Sequence, residues 1–379
     1  MRILYISHLH PPEDAPLKNM GGMQRVSMQL VRELKRKDDV VLKALTLHAS
    51  WRWIGIKTFF FLVGLLLKIP RQARKFDADV ILFSSMVTAS LAWFIRSRVD
   101  IPMVTINHGQ DVTLPVGIYQ WFLPKVFSSL DGVISVSRAT RQACIDRGMD
   151  PEKGVSLPNG FDLQRLDQFP NKESSRAFFG RKFSIPLENR YFLLTVGRQV
   201  KRKGHAWFIR EVLPKIHSDA LYLVIGDGPE SENIAEAVRE TGQQNRVFLL
   251  GRQPDKVLKQ AYAAADLFIM PNIPVKGDME GFGIVLLEAN MARTPAIASD
   301  LEGIRDVIEQ GKNGYRVPPE NPDRFSEKVN QVLENGFSGL SDSARSYVQE
   351  RFNWERVSEQ YLDYLQNVIK DQRTHNPKI

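Results

Sequence analysis

The feature that most constrains the fold is an alternation of short apolar runs with amphipathic helical stretches along nearly the whole chain. Runs of strand character begin at Ile3, Val40, Val80, Met103 and Val133, and again at Phe192, Leu221, Val247, Leu267 and Ala296. Between the first two, Met23, Val26, Leu30 and Leu34 recur on one helical face from Met23 to Lys37. Strands alternating with helices build parallel sheets through right-handed βαβ crossovers, so an α/β fold is expected. The alternation starts afresh midway, and 379 residues suit two or three domains at roughly 150 residues each. The stretch before the restart, DLQRLDQFPNKESSRAFFGRKFSIPLENR, is polar, carries two prolines and lacks sustained periodicity. The chain is therefore read as a first domain over 1–165, a linker over 166–190 and a second domain over 191–354. A last helix over 355–379, patterned by Val357, Tyr361, Tyr364, Leu365 and Val368, is expected to return to the first domain. Both domains read as doubly wound and Rossmann-like. Ligands of such sheets lie beyond the carboxyl ends of the strands, so the expected active site is a cleft between two facing domains.

Composition narrows the partners. With 43% hydrophobic and 25% charged residues the chain can fill two cores, which argues against extensive disorder. A formal charge of +8 favours anionic partners: nucleotide phosphates, acidic lipid headgroups or nucleic acid. Cys144 is the only cysteine, so intrachain disulfides and thiolate metal clusters are excluded, and nothing calls for an oxidising compartment. The opening MRILYIS enters a strand pattern with no long apolar leader. The apolar run TFFFLVGLLL, Thr58 to Leu67, is ten residues long, against about 20 for a membrane span. A cytoplasmic location is expected.

The most informative stretch is DMEGFGIVLLEAN, Asp278 to Asn290. Glu280 and Glu288 flank Gly281-Phe282-Gly283, a turn that opens an apolar helix and would bare backbone N–H groups toward phosphate or sugar oxygens. Glu288 is placed to accept hydrogen bonds from ribose hydroxyls; read alone, the two glutamates are equally a solvated helix face. The strand from Phe192 runs into Gly197-Arg198 and then Lys201, Arg202 and Lys203-Gly204, the cations a diphosphate leaving group requires. Most charge runs are solvated loops. Gly226-Asp227-Gly228-Pro229 is a tight turn but no dinucleotide fingerprint, since Ser231 occupies the third glycine's place. In the first half, Gly21-Gly22 precede the helix near Met23, His108-Gly109 with Asp111 follow the strand from Met103, and Asn159-Gly160-Phe161-Asp162 form a turn.

In this order and spacing, these elements resemble the retaining GT-B glycosyltransferases of family 4, more faintly between about Leu45 and Val99. The Asp-x-Glu-Gly-Phe-Gly-Ile-Val version is similar to bacterial mannosyltransferases of lipid and surface-polysaccharide synthesis. The resemblance implies that Arg198 and Lys203 bind the donor diphosphate and stabilise the leaving group, with Gly21 and Gly22 supporting the phosphates from the opposite domain. It implies that Glu288 holds the ribose, that Glu280 contacts the sugar hydroxyls and that His108 lies near the sugar's reactive face. Gly197, Gly226, Gly281, Phe282 and Gly283 would line the donor site, with Gly251 and Arg252 near the base. The chain departs from the commoner pattern at Leu301-Glu302-Gly303, where many members carry two adjacent glycines.

The implied reaction moves a hexose, with retention of configuration, from a nucleotide diphosphate sugar to a glycan or lipid-linked acceptor. No metal or other cofactor is expected, because arginine and lysine supply the positive charge. Asp77-Ala78-Asp79 matches a metal-binding Asp-x-Asp, but it precedes the run Val80 to Phe83 instead of following a strand. From Trp51 to Lys75, the cations Arg52, Lys57, Lys68, Arg71, Arg74 and Lys75 accompany Trp51, Trp53 and Phe59-Phe60-Phe61, with no acidic residue. This pattern suits either a helix lying on the anionic inner face of a membrane or a core helix with a basic rim. The other readings are a nucleotide-sugar epimerase on the same scaffold and, in a different class, a nucleic-acid-binding protein. No nucleic-acid-binding module appears, and nucleic acid is not an expected partner.

Overall fold

A computed structural model of the chain describes residues 1–10, 21–48, 54–163, 168–217 and 219–375. It forms two compact units, Met1–Phe161 with Phe352–Ile379, and Asp162–Arg351. The first unit holds strands β1 (Arg2–His10), β2 (Val41–His48), β3 (Val80–Phe83), β4 (Met103–Asn107), β5 (Gly132–Ser135) and β6 (Gly154–Ser156), all parallel, in the order β2-β1-β3-β4-β5-β6. The second holds β7 (Tyr191–Val196), β8 (Ala220–Ile225), β9 (Val247–Leu249), β10 (Leu267–Met270), β11 (Ala296–Ser299) and β12 (Gly314–Val317), also parallel, in the order β12-β11-β10-β7-β8-β9. Helices cover both faces of such sheets, which is why VILF, LFIM and ALYLVI are buried without alternation. In each sheet the winding direction reverses once, between β1 and β3 and between β7 and β10, and such a reversal is where a doubly wound fold opens a ligand crevice.

The ten strands expected from the sequence are present. Two more, β6 and β12, are edge strands of three and four residues that begin with glycine and are only partly buried, so they carry no apolar run to read. The 166–190 stretch contains a helix, Lys172–Phe183, in place of plain connecting chain. Asn171 caps it, accepting from the Glu173 and Ser174 amides. It is held to the second unit by charge and by packing: Lys172 and Arg176 both reach Asp266, 2.6 and 2.5 Å away, while buried Phe179 stacks on Phe183 and meets Phe192 edge-on. Its apolar contacts centre on one buried residue, Phe179, which leaves little periodicity to read. The helix Trp354–His375 belongs to the first unit: Trp354 Nε1 donates to Gln29, and Tyr364 Oη accepts from the Val133 amide while donating to Lys153 O. Gly160 admits the Trp354 indole, since a Cβ there would lie 2.2 Å from its ring.

Cys144 is fully buried, accepts an N–H from Asn107 at 3.0 Å, and burial pushes its thiol up to about 12. Asp79 lies at the amino end of β3, where it accepts the Arg2 amide and pairs with Arg373. This aspartate holds the N-terminal edge of the sheet, far from the carboxyl ends of its strands.

The helix Ile54–Phe76 buries one stripe, Thr58, Leu65, Ile69 and Ala73, and packs on β1 and β2. Its opposite face presents Ile56, Phe59, Phe60, Val63 and Leu67 at 49–74% exposure, with Lys57, Lys68, Arg71, Arg74 and Lys75 also exposed. Trp51, Arg52 and Trp53 lie outside the described residues. The short helix Ala92–Ile95 packs against both Ile54–Phe76 and Gly117–Ser128, adding exposed Trp93, Phe94, Ile118 and Trp121. Lys125 Nζ stands 3.9 Å over the Trp121 ring. Among the described residues no helix is long and apolar enough to cross a membrane.

Asp266 also accepts the Phe192 amide, so Asp266→Ala should cost about 2 kcal/mol by stranding a buried N–H and two cations. A lowered urea midpoint with an unchanged slope is the expected result.

Candidate active site

At the reversal point of the second sheet, glycines bring the strand ends into backbone contact. Gly226, at φ +141°, leaves β8 so close to β7 that a Cβ would lie 1.8 Å from Gly197 O. Gly197 N donates to Ile225 O, and Gly226 N to Gly251 O, both at 2.9 Å. Gln199 ties the two turns together through its amide to Asp227 O and its side chain to Gly226 O. Gly251 adopts φ +62° in open space. Arg198 is exposed and forms no ion pair among the described residues, and Arg252, also exposed, pairs with Asp227.

After Arg198 the chain makes a tight turn over Lys201–Lys203 and passes beneath the end of β10 at Gly204, where φ is +64° and a Cβ would meet Pro271 O at 1.9 Å. That approach buries Lys203 beside the loop following β10. Lys203 Nζ is 2.6 Å from Glu280 Oε2, and the same oxygen accepts from Asn272 Nδ2 at 3.2 Å and lies 3.6 Å from Arg202 Nε. Arg202 also reaches Asp278. Burial alone would raise the Glu280 carboxyl, but Lys203 and Arg202 outweigh it and hold the group below its ordinary value. Burial pulls the Lys203 ammonium down against the opposing pull of Glu280. Neighbouring His205, buried and close to Lys203, is pushed down to about 3 by burial and then by that charge, so it stands neutral.

The Glu280 backbone is gripped as well. Its amide donates to the Glu302 carboxylate and its carbonyl accepts from Gly303 N. Phe282 is buried, and Gly283, at φ +89°, starts the helix Ile284–Met291. Gly281 has Gly303 pressed against its carbonyl, where a Cβ on Gly303 would lie 2.1 Å away. Glu288, in that helix's second turn, is buried and accepts from Tyr262 Oη at 2.7 Å.

In the first unit, His108 follows β4. Its amide donates to Asp111 Oδ1, and the other oxygen, Oδ2, accepts the Met86 amide, so Asp111 clamps the ends of β3 and β4 together. His108 Nε2 lies 2.9 Å from Ser84 O; a carbonyl only accepts, so Nε2 is the donor in this contact. His8, at the end of β1, is pushed down to about 4 by burial and by His108. Gly21 precedes the helix Gly22–Leu34, its amide bonded to Gln24 Oε1.

The family model described as Glycosyl transferases group 1 matches residues 180–351, and that described as Glycosyltransferase Family 4 matches residues 20–165. The chain belongs to the family 4 type of glycosyltransferase. The transferase is 29% identical over 236 residues to an uncharacterized glycosyltransferase of Methanocaldococcus jannaschii, covering 61% of this chain and 58% of that protein. It is 26% identical over 385 residues to a phosphatidyl-myo-inositol mannosyltransferase of Mycobacterium tuberculosis, covering 92% and 93%. Anabaena HepE, solved in complex with UDP, shares the fold at a TM-score of 0.75 and 19% identity, over 97% of this chain and all of that one. The fold is GT-B.

Within the second unit, the structure brings Gly197, Gly226 and Gly251 together by backbone bonds, and Lys203 and Glu280 by an ion pair. Arg198, Arg252 and Glu288 stand apart from that pair's contacts, while Gly21, Gly22 and His108 belong to the first unit. Tyr262, Asn272 and His8 belong to no motif in the sequence, and Glu302 marks only a departure from pattern. Their partners lie up to 77 positions away, and no local spacing marks them.

Lys203→Ala should lower stability by about 3 kcal/mol, because Glu280 would keep its burial without its nearest cation. The double variant Lys203→Met, Glu280→Gln should recover more than half of that loss in urea denaturation; no recovery would show that the pair is not coupled.

Proposed function

We propose that the transferase moves a hexose from a nucleoside diphosphate sugar to a lipid-linked or glycan acceptor, with retention of anomeric configuration. The buried Lys203–Glu280 pair at the reversal point of the second sheet carries this reading. In this reading Lys203 is the cation that meets the diphosphate and Glu280 the carboxylate that meets the sugar hydroxyls. In the step, the bond from the anomeric carbon to the diphosphate oxygen breaks, a bond to the acceptor oxygen forms on the same face, and the departing phosphate takes the acceptor's proton. Negative charge grows on the diphosphate, and fixed cations lower that barrier only as far as they bind the transition state more tightly than the ground state. Arg198, exposed and without an ion pair among the described residues, offers its guanidinium. Lys203 has three N–H donors, so contact with Glu280 leaves others for phosphate. Glu288, oriented by Tyr262, takes the ribose, and Gly197, Gly226, Gly251, Arg252 and the Gly281–Gly283 turn complete the donor side. Gly21 and Gly22 serve phosphate and His108 the sugar. The charge requirement is met without a metal.

The acceptor reading rests on the exposed apolar face of Ile54–Phe76 with its cations, and on the likeness to a phosphatidyl-myo-inositol mannosyltransferase. We assign this face, with Trp93 and Trp121, to the anionic inner surface of the cell membrane, where each surface-near cation contributes about 1 kcal/mol. Co-sedimentation with phosphatidylglycerol vesicles, absent with phosphatidylcholine and weakened severalfold in Phe59→Ser, Phe60→Ser, is the expected outcome. Equal binding by the variant would remove the assignment.

For the donor, calorimetry with UDP-glucose, GDP-mannose and ADP-glucose in the presence of chelator should find one tight binder. Glu288→Ala should weaken that binding about tenfold, while Lys203→Ala should mainly lower turnover, by roughly a hundredfold. Sugar conversion without an acceptor would instead indicate an epimerase, and unchanged kinetics in both variants would overturn the site.

A further inference from the structure

Glu302 sits in the loop after β11 at φ +44°, the left-handed region that a glutamate adopts reluctantly. Gly303, next to it, is the residue that needs to be small, because it lies against Gly281. The loop therefore holds glutamate at 302 in an unfavourable backbone conformation, and what that side chain does there is specific. Its carboxylate reaches the Glu280 amide while Gly303 N binds the Glu280 carbonyl at 3.1 Å. One dipeptide thus grips Glu280 at both backbone polar groups, and the Glu280 side chain turns to Lys203, Arg202 and Asn272.

We propose that Glu302 is a positioning residue for transfer: its carboxylate fixes the Glu280 amide and so sets the pose of the carboxylate that meets the sugar. This rests on the donor-site reading given above. The groups facing Glu302 are Asp278 and Glu280 from the loop after β10 and Arg202 from the turn after β7, with Lys203 beyond Glu280; on its own side, Arg305 and Arg316 are engaged by Asp300. Burial, with the charges of Glu280 and Asp278, pushes the Glu302 carboxyl up to about 7 against the Glu280 amide and Arg202. Ionised Glu302 grips the amide strongly, and protonation weakens that grip. Turnover should therefore fall as pH drops below about 7.

The test is the pH profile of kcat and of KM for the nucleotide sugar, from pH 5.5 to 8.5, in the parent, Glu302→Gln and Glu302→Gly. A glutamine oxygen can still accept the amide but does not titrate. Glu302→Gln should lose the acidic limb that costs the parent about tenfold by pH 6, while keeping part of the activity at pH 8. Glu302→Gly relaxes the backbone and removes the grip, so kcat should fall at least tenfold at every pH, with KM nearly unchanged and a melting temperature no lower than the parent's. An acidic limb that persists in Glu302→Gln, or parental kcat in Glu302→Gly, would overturn the proposal. A second readout needs no activity. A carboxyl raised in the folded state contributes stability that is present at low pH and lost as pH rises through about 7, so Glu302→Gln should gain in melting temperature over the parent between pH 5 and 8. A parent that gains no such deficit would overturn the role of Glu302. A parent that shows the deficit but transfers no sugar would overturn the donor-site reading.

Discussion

The ion pair of Lys203 and Glu280 is the contact around which the loops at the carboxyl ends of the second unit's strands are organised. Neither charge could be buried alone: an unpaired ion in a protein interior costs several kcal/mol after relaxation. Together they offset one another's charge, with Asn272 donating to Glu280 and Arg202 nearby, but only if two loops from opposite sides of the sheet's reversal point come close. Gly204 permits this by bringing the chain within van der Waals distance of Pro271. The glycine-lined ends of β7 and β8 hold the first loop, and the grip on Glu280 from the Leu301–Gly303 loop holds the second.

The first unit solves a similar problem with a single carboxylate. Asp111 binds amides from the segments following β3 and β4, so His108 is held by its own backbone as well as by Ser84. The His-Gly-x-Asp spacing is thus explained structurally: Gly109, at φ +100°, turns the chain so that Asp111, two residues on, can reach back to the His108 amide.

Where a feature depends on local pattern, it was legible in the sequence. Continuous apolar runs marked the buried strands, and the Lys-Gly and Glu-Gly-Phe-Gly stretches pointed to Lys203 and Glu280. What was not legible depends on residues far apart in the chain. The helix Lys172–Phe183 is anchored by Asp266, some 90 positions on, and Tyr262 meets Glu288 across 26. The edge strands β6 and β12 form because a neighbouring strand offers free backbone, not because their own residues demand it. For the segment 51–75 the sequence left a core helix and a surface helix open. The helix is amphipathic in an unusual sense: one apolar stripe meets the sheet and a second faces outward, which composition alone cannot distinguish from a single buried face.

The burial of Cys144 bears on how the protein can be studied. The thiolate is the reactive form, and this thiol is both enclosed and held far from ionisation. The natural sequence should therefore react little with maleimides while folded. A cysteine introduced at an exposed position would be the sole labelling point, and a polarity-sensitive dye attached there would report its surroundings without background from the rest of the chain.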